Sequence, residues 1–296
     1  FHHVARRLTA GDDEGYYRDY AGTTAEMART IADGWLYQGA PSVHLGEPRG
    51  TSPAGLPLAA CVIALQNHDQ IGNRAFGERL HHQIAPEVFR ALTAILLLAP
   101  ETPLLFMGQE WAASSPFLYF TDHEPDLGQR VREGRRDEFR HFRAFADPSI
   151  RDTIPDPQDE GTFVRSRLDW DERDAPGHRQ VAAWHRDLLT LRREAEGGER
   201  SGLVDGDVAA IDREGIRMRR RLRGGGELLL VARLRGAGRL VAPVADGRGW
   251  HVALDSEASA YAADPHPPRV DVSGAGSVAV EFARPGVVVL TRTRGA

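Results

Sequence analysis

Two short apolar runs, each followed by polar residues, constrain the fold of this 296-residue chain more than any other feature. The first occupies residues 58–65 and leads into Gln66, Asn67, His68 and Asp69, and the second occupies residues 104–107. A strand that is apolar on both faces suits a buried parallel sheet, so we predict a strand at each run. Residues 86–98, between the runs, begin with proline and place apolar side chains at helical spacing, which indicates a helix.

A strand–helix–strand unit whose strands end in polar clusters is typical of the catalytic rim of a β/α barrel. We predict further helices at residues 2–10, 24–33 and 177–196, with long loops at residues 34–57 and 112–176. After about residue 200 the pattern changes to short segments that alternate or run apolar between glycine-rich turns. These segments, which predict a small antiparallel β-sandwich, are residues 228–234, 240–244, 251–254, 278–282 and 287–290.

The predicted fold class is therefore α/β: the C-terminal part of a (β/α)8 barrel followed by a small antiparallel β-sandwich domain. We place the boundary at Gly197 and Gly198, which gives a barrel portion at residues 1–196 and an all-β domain at residues 197–296. The opening residues read as the interior of a longer protein, and no initiator methionine is present. We therefore expect the chain to be a fragment.

Composition excludes several classes of protein. A hydrophobic content of 41% is enough for a sizeable core, and 27% charged residues with a net charge of −5 argue against disorder and against a membrane-spanning chain. The mild acidity argues against nucleic acid as a partner, because a basic face would be expected. The single cysteine, Cys61, cannot form an internal disulfide and is compatible with a reducing cytoplasm.

The polar cluster at residues 66–70 contains groups that suit carbohydrate chemistry. Glycoside hydrolysis needs one carboxylic acid, one carboxylate and further polar groups that hold the distorted sugar. The carboxylate of Asp69 could accept hydrogen bonds from vicinal hydroxyls, and His68 could donate one. The same residues could equally form a capped turn after a buried strand, since Asn and Asp favour turns.

Residue spacing alone does not decide between these two interpretations of residues 66–70, but a resemblance to a known family favours the sugar-binding one. Residues 65–75, LQNHDQIGNRA, closely resemble the motif that follows the seventh strand in the α-amylase superfamily of glycoside hydrolases. Residues 77–80, GERL, look like its maltooligosyltrehalose trehalohydrolase branch in particular. Further segments agree with that branch: EGYY at 14–17, YQG at 37–39, PLLFMGQE at 103–110, FLYFTDH at 117–123, RRDEF at 135–139 and PDPQ at 155–158. The resemblance spans roughly residues 1–195.

The resemblance implies specific roles for residues of this chain. Asp69 would be the transition-state-stabilising carboxylate, and His68 would donate to the same sugar ring. Glu110 could contact substrate or be a supporting carboxylate. Residues implied to border the substrate cleft are Gln70, Ile71, Gly72 and Asn73, together with Phe1, His2 and His3, which resemble the end of the segment after the sixth strand.

The implied reaction is hydrolysis of the α-1,4-glucosidic bond next to the trehalose unit of maltooligosyl trehalose, with retention of anomeric configuration. No cofactor or metal is implied, and the synthase that makes the substrate would be a functional partner. The nucleophilic Asp and the acid/base Glu belong to motifs upstream of Phe1, so we expect this chain alone to be inactive. The alternatives are a glycogen branching or debranching enzyme of the same superfamily, and a non-catalytic carbohydrate-binding or structural protein.

Overall fold

The computed structural model describes residues 1–194, 208–222, 225–246, 248–272 and 276–293. The helices, α1 to α9, are His2–Thr9, Thr24–Asp33, His68–Gly72, Pro86–Leu98, Pro125–Glu138, Arg143–Ala146, Pro148–Arg151, Glu160–Ser166 and His178–Glu194. The strands, β1 to β12, are Ala40–Pro41, Pro48–Arg49, Val62–Ala64, Thr102–Leu104, Val208–Ala210, Gly215–Arg221, Glu227–Arg233, Gly238–Pro243, His251–Asp255, Arg269–Asp271, Ser277–Phe282 and Gly286–Arg292. Within these residues no helix combines the length and the apolar character needed to cross a bilayer.

The helices predicted at residues 2–10, 24–33 and 86–98 are confirmed as α1, α2 and α4. Local capping explains where α2 begins, because the Thr23 hydroxyl accepts a hydrogen bond from the Glu26 amide at 3.1 Å. The Glu26 carboxylate accepts in turn from the Gly22 amide at 2.7 Å. Helix α9 confirms the long helix predicted at residues 177–196, whose last two residues lie outside the described part of the chain.

The parallel unit is present, but its strands are shorter than the sequence predicted. Strands β3 and β4 pair in parallel over three residues, with Val62 opposite Thr102, and α4 connects them. The strand predicted at residues 58–65 is wrong in its first half, where Leu58–Ala60 forms a 3-10 turn. The strand predicted at residues 104–107 is displaced, since pairing ends at Leu104. Val62 is 64% exposed, so β3 is not buried on both faces in this structure.

The two predicted loops contain secondary structure that the sequence did not reveal. The first, residues 34–57, holds the antiparallel pair of β1 and β2. The second, residues 112–176, holds α5 to α8. Helix α5 escaped prediction because it has no apolar stripe: its only buried residues are Gly128 and Arg135.

The antiparallel sandwich is confirmed. One sheet has five strands in the order β5-β6-β7-β12-β9, and the other has three in the order β10-β11-β8. Every neighbouring pair in both sheets is antiparallel. Leu229, Val280 and Phe282 belong to a buried cluster between the two sheets. Strands β5, β6 and β10 were not predicted.

The second face of the five-stranded sheet packs on the helices of the first half. One continuous core joins Leu92 of α4 and Trp184 of α9 to Leu230 of β7 and Val289 of β12. The boundary predicted at residues 197–198 lies outside the described residues, and the division into two domains stays a prediction.

Candidate functional site

The end of β3 leads directly into α3, the five-residue helix that carries the predicted sugar-binding pair. The side-chain oxygen of Asn67 accepts hydrogen bonds from the backbone amides of Asp69 at 2.8 Å and Gln70 at 3.2 Å. Asn67 is thus the N-cap of α3. The capped turn that the sequence allowed as an alternative is present, and it is Asn67, not Asp69, that caps it.

His68 and Asp69 keep their side chains in solvent. Their side chains are 68% and 64% exposed, and His68 Nε2 lies 3.4 Å from Asp69 Oδ1. Upstream of them, the buried Gln66 side chain accepts a hydrogen bond from the Leu80 amide at 2.8 Å. The pair is therefore presented at a fixed place on the structure while both groups remain accessible to a ligand.

A cavity of about 460 Å³ lies beside α3. Gln70 and Asn73, two of the predicted site residues, line it. The rest of its wall comes from three parts of the chain: residues 10–14, 16 and 17 after α1, residues 74, 75 and 78 after α3, and residues 142–145 and 150. The buried Ile71 and Gly72 do not line the cavity, and neither do the exposed His68 and Asp69.

Ion pairs fix the walls of this cavity to one another. Asp12 Oδ2 lies 2.6 Å from Arg6 Nε and 3.3 Å from Arg74 Nη1. Arg74 Nε lies 3.3 Å from Glu78 Oε2, which extends the chain of charges. Because Arg6 is 1% exposed, the Arg6–Asp12 pair is shielded from water on one side, unlike most surface pairs.

The third wall is attached through Arg143 and Phe142. Arg143 Nε lies 2.6 Å from Glu14 Oε1, and the ring of Phe142 meets that of Tyr16 edge-on at 5.7 Å. Gly15 has φ of 54°, and a Cβ there would lie 2.6 Å from the Phe142 ring. Glycine at this position therefore allows the close approach of the third wall.

Phe1, His2 and His3, which the resemblance implied to border the cleft, do not line the cavity. The imidazole of His3 stacks on Tyr20 with ring centroids 5.0 Å apart and meets Tyr16, a lining residue, at 5.1 Å. Burial lowers the pKa of His3 to about 3, so the ring is neutral near pH 7. In this structure His3 supports a wall of the site through aromatic packing, and the ring centroid of His2 lies 3.8 Å from that of His3.

Glu110 lies in the 3-10 turn that follows β4 and is half-buried. Its Oε2 atom is buried and has no hydrogen-bond partner within the described residues, and it does not line the cavity. The buried Arg79 guanidinium donates to the Met107 carbonyl at 2.8 Å and to the Ser115 carbonyl at 2.7 Å. Burial lowers the pKa of Arg79 to about 10, against the opposing charge of Glu110.

The segment GERL at residues 77–80 packs closely against the backbone at Phe117. Gly77 has φ of 61°, and a Cβ there would lie 2.4 Å from the Phe117 carbonyl oxygen. The Phe117 amide donates to the Gly77 carbonyl at 2.9 Å. The ring of Phe117 meets those of Phe106 and Phe120 edge-on, so the aromatic segment from residue 117 packs beside the end of β4.

Sequence reasoning missed most of the cavity. Asp12, Tyr16, Arg74, Glu78 and Arg143 were not predicted as site residues. The resemblance covered Tyr16, Arg74 and Glu78, but no pattern within one segment shows which of them lie close together in the fold. Chemically, the cavity offers carboxylates, amides, two guanidinium groups and two phenols, which are donors and acceptors suited to sugar hydroxyls. The described residues contain no group of three or more His, Cys, Asp or Glu side chains that could hold a metal ion.

No protein-family model matches the chain. Comparison of its sequence with curated proteins finds relatives that share one name. The chain is 42% identical over 252 residues to the malto-oligosyltrehalose trehalohydrolase of Deinococcus radiodurans, covering 82% of this chain and 40% of that protein. The enzyme of the same name from Rhizobium sp. is 41% identical, over 78% of this chain and 38% of its own length. The enzyme of that name from Saccharolobus solfataricus is 34% identical, over 66% of this chain and 32% of its own length. The chain thus spans about two fifths or less of these relatives.

A solved structure agrees with this result. A candidate α-amylase from Salmonella typhimurium superposes with a TM-score of 0.74 and 31% sequence identity, over 99% of this chain and 45% of its own. Together with the unit formed by β3, α4 and β4 and with the sandwich, this match confirms the fold class predicted from the sequence. The described residues contain one strand–helix–strand unit of the barrel and no closed barrel.

Proposed function

Since this chain is homologous to part of the malto-oligosyltrehalose trehalohydrolases, we propose that it forms the portion of such an enzyme that holds the sugar during hydrolysis. The proposed reaction of the enzyme that contains it is cleavage of the α-1,4-glucosidic bond adjacent to the trehalose unit of maltooligosyl trehalose. Trehalose is the product released. The observation that carries the proposal is the motif at residues 65–75, which occurs in a chain 42% identical to a relative of that name.

In this proposal Asp69 is the transition-state-stabilising carboxylate. Supporting it are the position of Asp69 on a capped helix at the end of a parallel strand and the exposure of its carboxylate. An ionised carboxylate accepts hydrogen bonds from two sugar hydroxyls, and His68 Nε2, beside it, donates to the same ring. Groups held by rigid elements stabilise a transition state without reorganising during the reaction.

The remaining predicted residues take supporting or binding roles. Gln70 and Asn73 hydrogen-bond sugar hydroxyls from the cavity wall. Glu110, which does not line the cavity, is a supporting carboxylate whose charge acts on the buried Arg79. Ile71 and Gly72 are buried and fix the backbone of α3 between Gln70 and Asn73. His3 supports the cavity wall through Tyr16, His2 packs on His3, and Phe1 packs against the hydrophobic core.

The mechanism that we propose retains anomeric configuration through a covalent glycosyl-enzyme. No segment of this chain resembles the motifs of the nucleophile or of the acid/base, so we expect both groups to come from elsewhere in the enzyme. On this basis the 296-residue chain alone is inactive. We also propose a functional pairing with maltooligosyl trehalose synthase and a cytoplasmic location, which the lone Cys61 supports.

The experiment is a trehalose-release assay on maltotriosyl trehalose. It compares this chain, the protein expressed from its complete reading frame, and the Asp69→Asn variant of the latter. We expect release only by the complete protein, and we expect Asp69→Asn to lower kcat by about 100-fold or more, as when a transition-state contact is removed. Asp126→Asn, an exposed carboxylate on α5, is the matched control and should retain full activity.

Each contrary result removes a different part of the proposal. Absence of trehalose release by the complete protein would dismiss the substrate assignment, and formation of branched glucan would favour a branching enzyme. Near-normal kcat in Asp69→Asn would remove Asp69 from the reaction. Activity of the 296-residue chain alone would mean that the nucleophile and the acid/base lie within it.

A further inference from the structure

A buried arginine outside the cavity, Arg135 of α5, contacts the carboxyl end of α3. Its Nη2 atom donates to the Gly72 carbonyl at 2.7 Å and to the Arg74 carbonyl at 3.2 Å. Its Nη1 atom lies 3.4 Å from the side-chain oxygen of Asn73, which lines the cavity. One guanidinium therefore holds three consecutive residues that end the helix bearing Asp69.

The surroundings of Arg135 are mostly aromatic. Its guanidinium carbon lies 4.6 Å from the ring centroid of Tyr119, 5.2 Å from that of Phe139 and 5.5 Å from that of Phe145. Burial lowers the pKa of Arg135 to about 10, which leaves it protonated at neutral pH. Tyr119 and Glu138 oppose that lowering, and no ion pair of Arg135 is found among the described residues. Its charge is balanced by carbonyl oxygens at a helix C-terminus, where the helix dipole favours a cation.

A buried charge is costly, and a well-packed apolar side chain often gives equal or greater stability. What the guanidinium supplies that an apolar side chain cannot is a planar set of donors in a fixed geometry. Here that geometry matches two carbonyls and one amide oxygen on a single turn. The contact therefore determines orientation more than it adds stability.

Helix α3 depends on such contacts because it has only five residues, too few to be stable by itself. Asn67 caps its first turn, and Arg135 holds its last turn. Between the two lie His68 and Asp69, whose exposed side chains make no hydrogen bond or ion pair with a third residue among those described.

We propose that Arg135 is a positioning residue that sets the orientation of α3, and through it the placement of the Asp69 carboxylate and the Asn73 amide. The inference rests on the proposed function for its effect on catalysis, but the geometric part concerns α3 alone. Arg135→Lys keeps the positive charge but removes the planar guanidinium, so the lysine cannot donate to all three acceptor oxygens at the end of α3 in the same geometry. A displacement of about 1 Å in a reacting group costs about 100-fold in rate.

The test uses Arg135→Lys in the protein expressed from its complete reading frame, with Arg130→Lys on the exposed side of α5 as the matched control. Two quantities are measured: kcat and KM for maltotriosyl trehalose, and amide hydrogen exchange over residues 68–74. For Arg135→Lys we expect kcat to fall about 10- to 100-fold with KM changed less than about threefold. Exchange over residues 68–74 should rise about tenfold or more while the rest of the chain is unchanged. Arg130→Lys should alter neither quantity.

Three results would overturn the inference. Unchanged exchange over residues 68–74 would show that Arg135 does not fix α3, and normal kcat despite faster exchange would show that its orientation does not matter. A uniform rise in exchange, with kcat lost only in proportion to the unfolded fraction, would reduce Arg135 to a stabilising residue. If the unsubstituted protein releases no trehalose, the proposed function fails, while the exchange measurement still decides whether Arg135 holds α3.

Discussion

At the scale of single residues, neighbouring polar side chains in the motif have separate tasks. Asn67 turns inward and satisfies two backbone amides that the first turn of a helix leaves unpaired. His68 and Asp69 are thereby released from capping and stay exposed. The sequence left open whether these residues form a capped turn or a sugar-binding pair. In the structure the two are compatible, because Asn67 caps the turn and leaves His68 and Asp69 exposed.

Asn67→Ala removes both hydrogen bonds to the first turn of α3. We expect it to lower the free energy of unfolding by about 1 kcal/mol, the usual cost of losing an N-cap, and to speed amide exchange at Asp69 and Gln70. Asp147→Ala is the matched control, because Asp147 caps α7 by accepting from the Ser149 amide at 2.9 Å. Equal exchange at residues 69–71 in both variants would mean that Asn67 does not hold the helix.

At the scale of secondary structure, the difference between β7 and β8 follows from what covers each strand. Strand β8 alternates, with Leu240 and Ala242 buried and Val241 46% exposed, because one of its faces meets solvent. Strand β7 is buried along nearly its whole length. Leu229 faces the other sheet, and Leu230 packs with the helices. The unbroken apolar run of β7 thus reflects a sheet covered on both faces.

Leu230→Ala tests this arrangement. If helices cover the outer face of β7, the substitution leaves a cavity and lowers the free energy of unfolding by about 2–5 kcal/mol, as Leu229→Ala should on the inner face. Val241→Ala on β8 should change it by about 0.5 kcal/mol or less, because Val241 is exposed. Urea unfolding of the three variants measures the difference. A Leu230→Ala variant as stable as Val241→Ala would show that the sheet has a free outer face in solution.

The same elements show which parts of the fold the sequence could predict. Helix α4 was correct because eleven of its residues are buried and it begins at a proline. The predicted bounds of β3 and β4 were wrong because an apolar run indicates which residues are buried, not which residues pair. Here only three residues of each strand pair with the other. Helix α5 has almost no buried residues, so hydrophobic periodicity carried no signal for it.

The residues of the candidate site likewise fall into those that the sequence could predict and those that it could not. Gln70 and Asn73 were found because they belong to one continuous motif. Asp12 meets Arg74 across 62 positions of sequence, and Glu14 meets Arg143 across 129. Convergence over such separations results from tertiary packing, which no local pattern encodes.

At the scale of the whole molecule, buried charges join the helical half to the sandwich. Glu257, which follows β9, is 1% exposed and pairs with Arg90 of α4, while Arg284 Nε donates to its other oxygen at 2.6 Å. Arg192 of α9 and Arg220 of β6 donate to backbone carbonyls at the C-terminus of α4, including Ala99. The end of α4 is therefore held by cations from two other parts of the chain, as its dipole favours.

Glu101 lies at this junction and gives the molecule a predictable pH dependence. It is fully buried, and neither carboxylate oxygen has a hydrogen-bond partner on another described residue. Burial raises the pKa of Glu101 to about 8, against the lowering influence of its own backbone amide, the Phe1 amino group, Arg220 and Arg192. In the unfolded chain the carboxyl titrates near its ordinary value of about 4.3. Between these two values the folded state holds a proton that the unfolded state has lost, so the free energy of unfolding falls as pH rises.

Glu101→Gln should abolish that fall, because the amide stays neutral at every pH. One pKa unit corresponds to about 1.4 kcal/mol, so the unsubstituted chain should lose a few kcal/mol between pH 5 and pH 8 relative to the variant. Denaturant unfolding at pH 5, 6, 7 and 8 measures the difference, and Glu133→Gln on the exposed face of α5 is the control that should follow the unsubstituted chain. Parallel curves for Glu101→Gln and the unsubstituted chain would show that Glu101 is ionised in the folded state. In that case Arg192 and Arg220 would outweigh burial, and the end of α4 would be held by an ion pair rather than by a neutral acid.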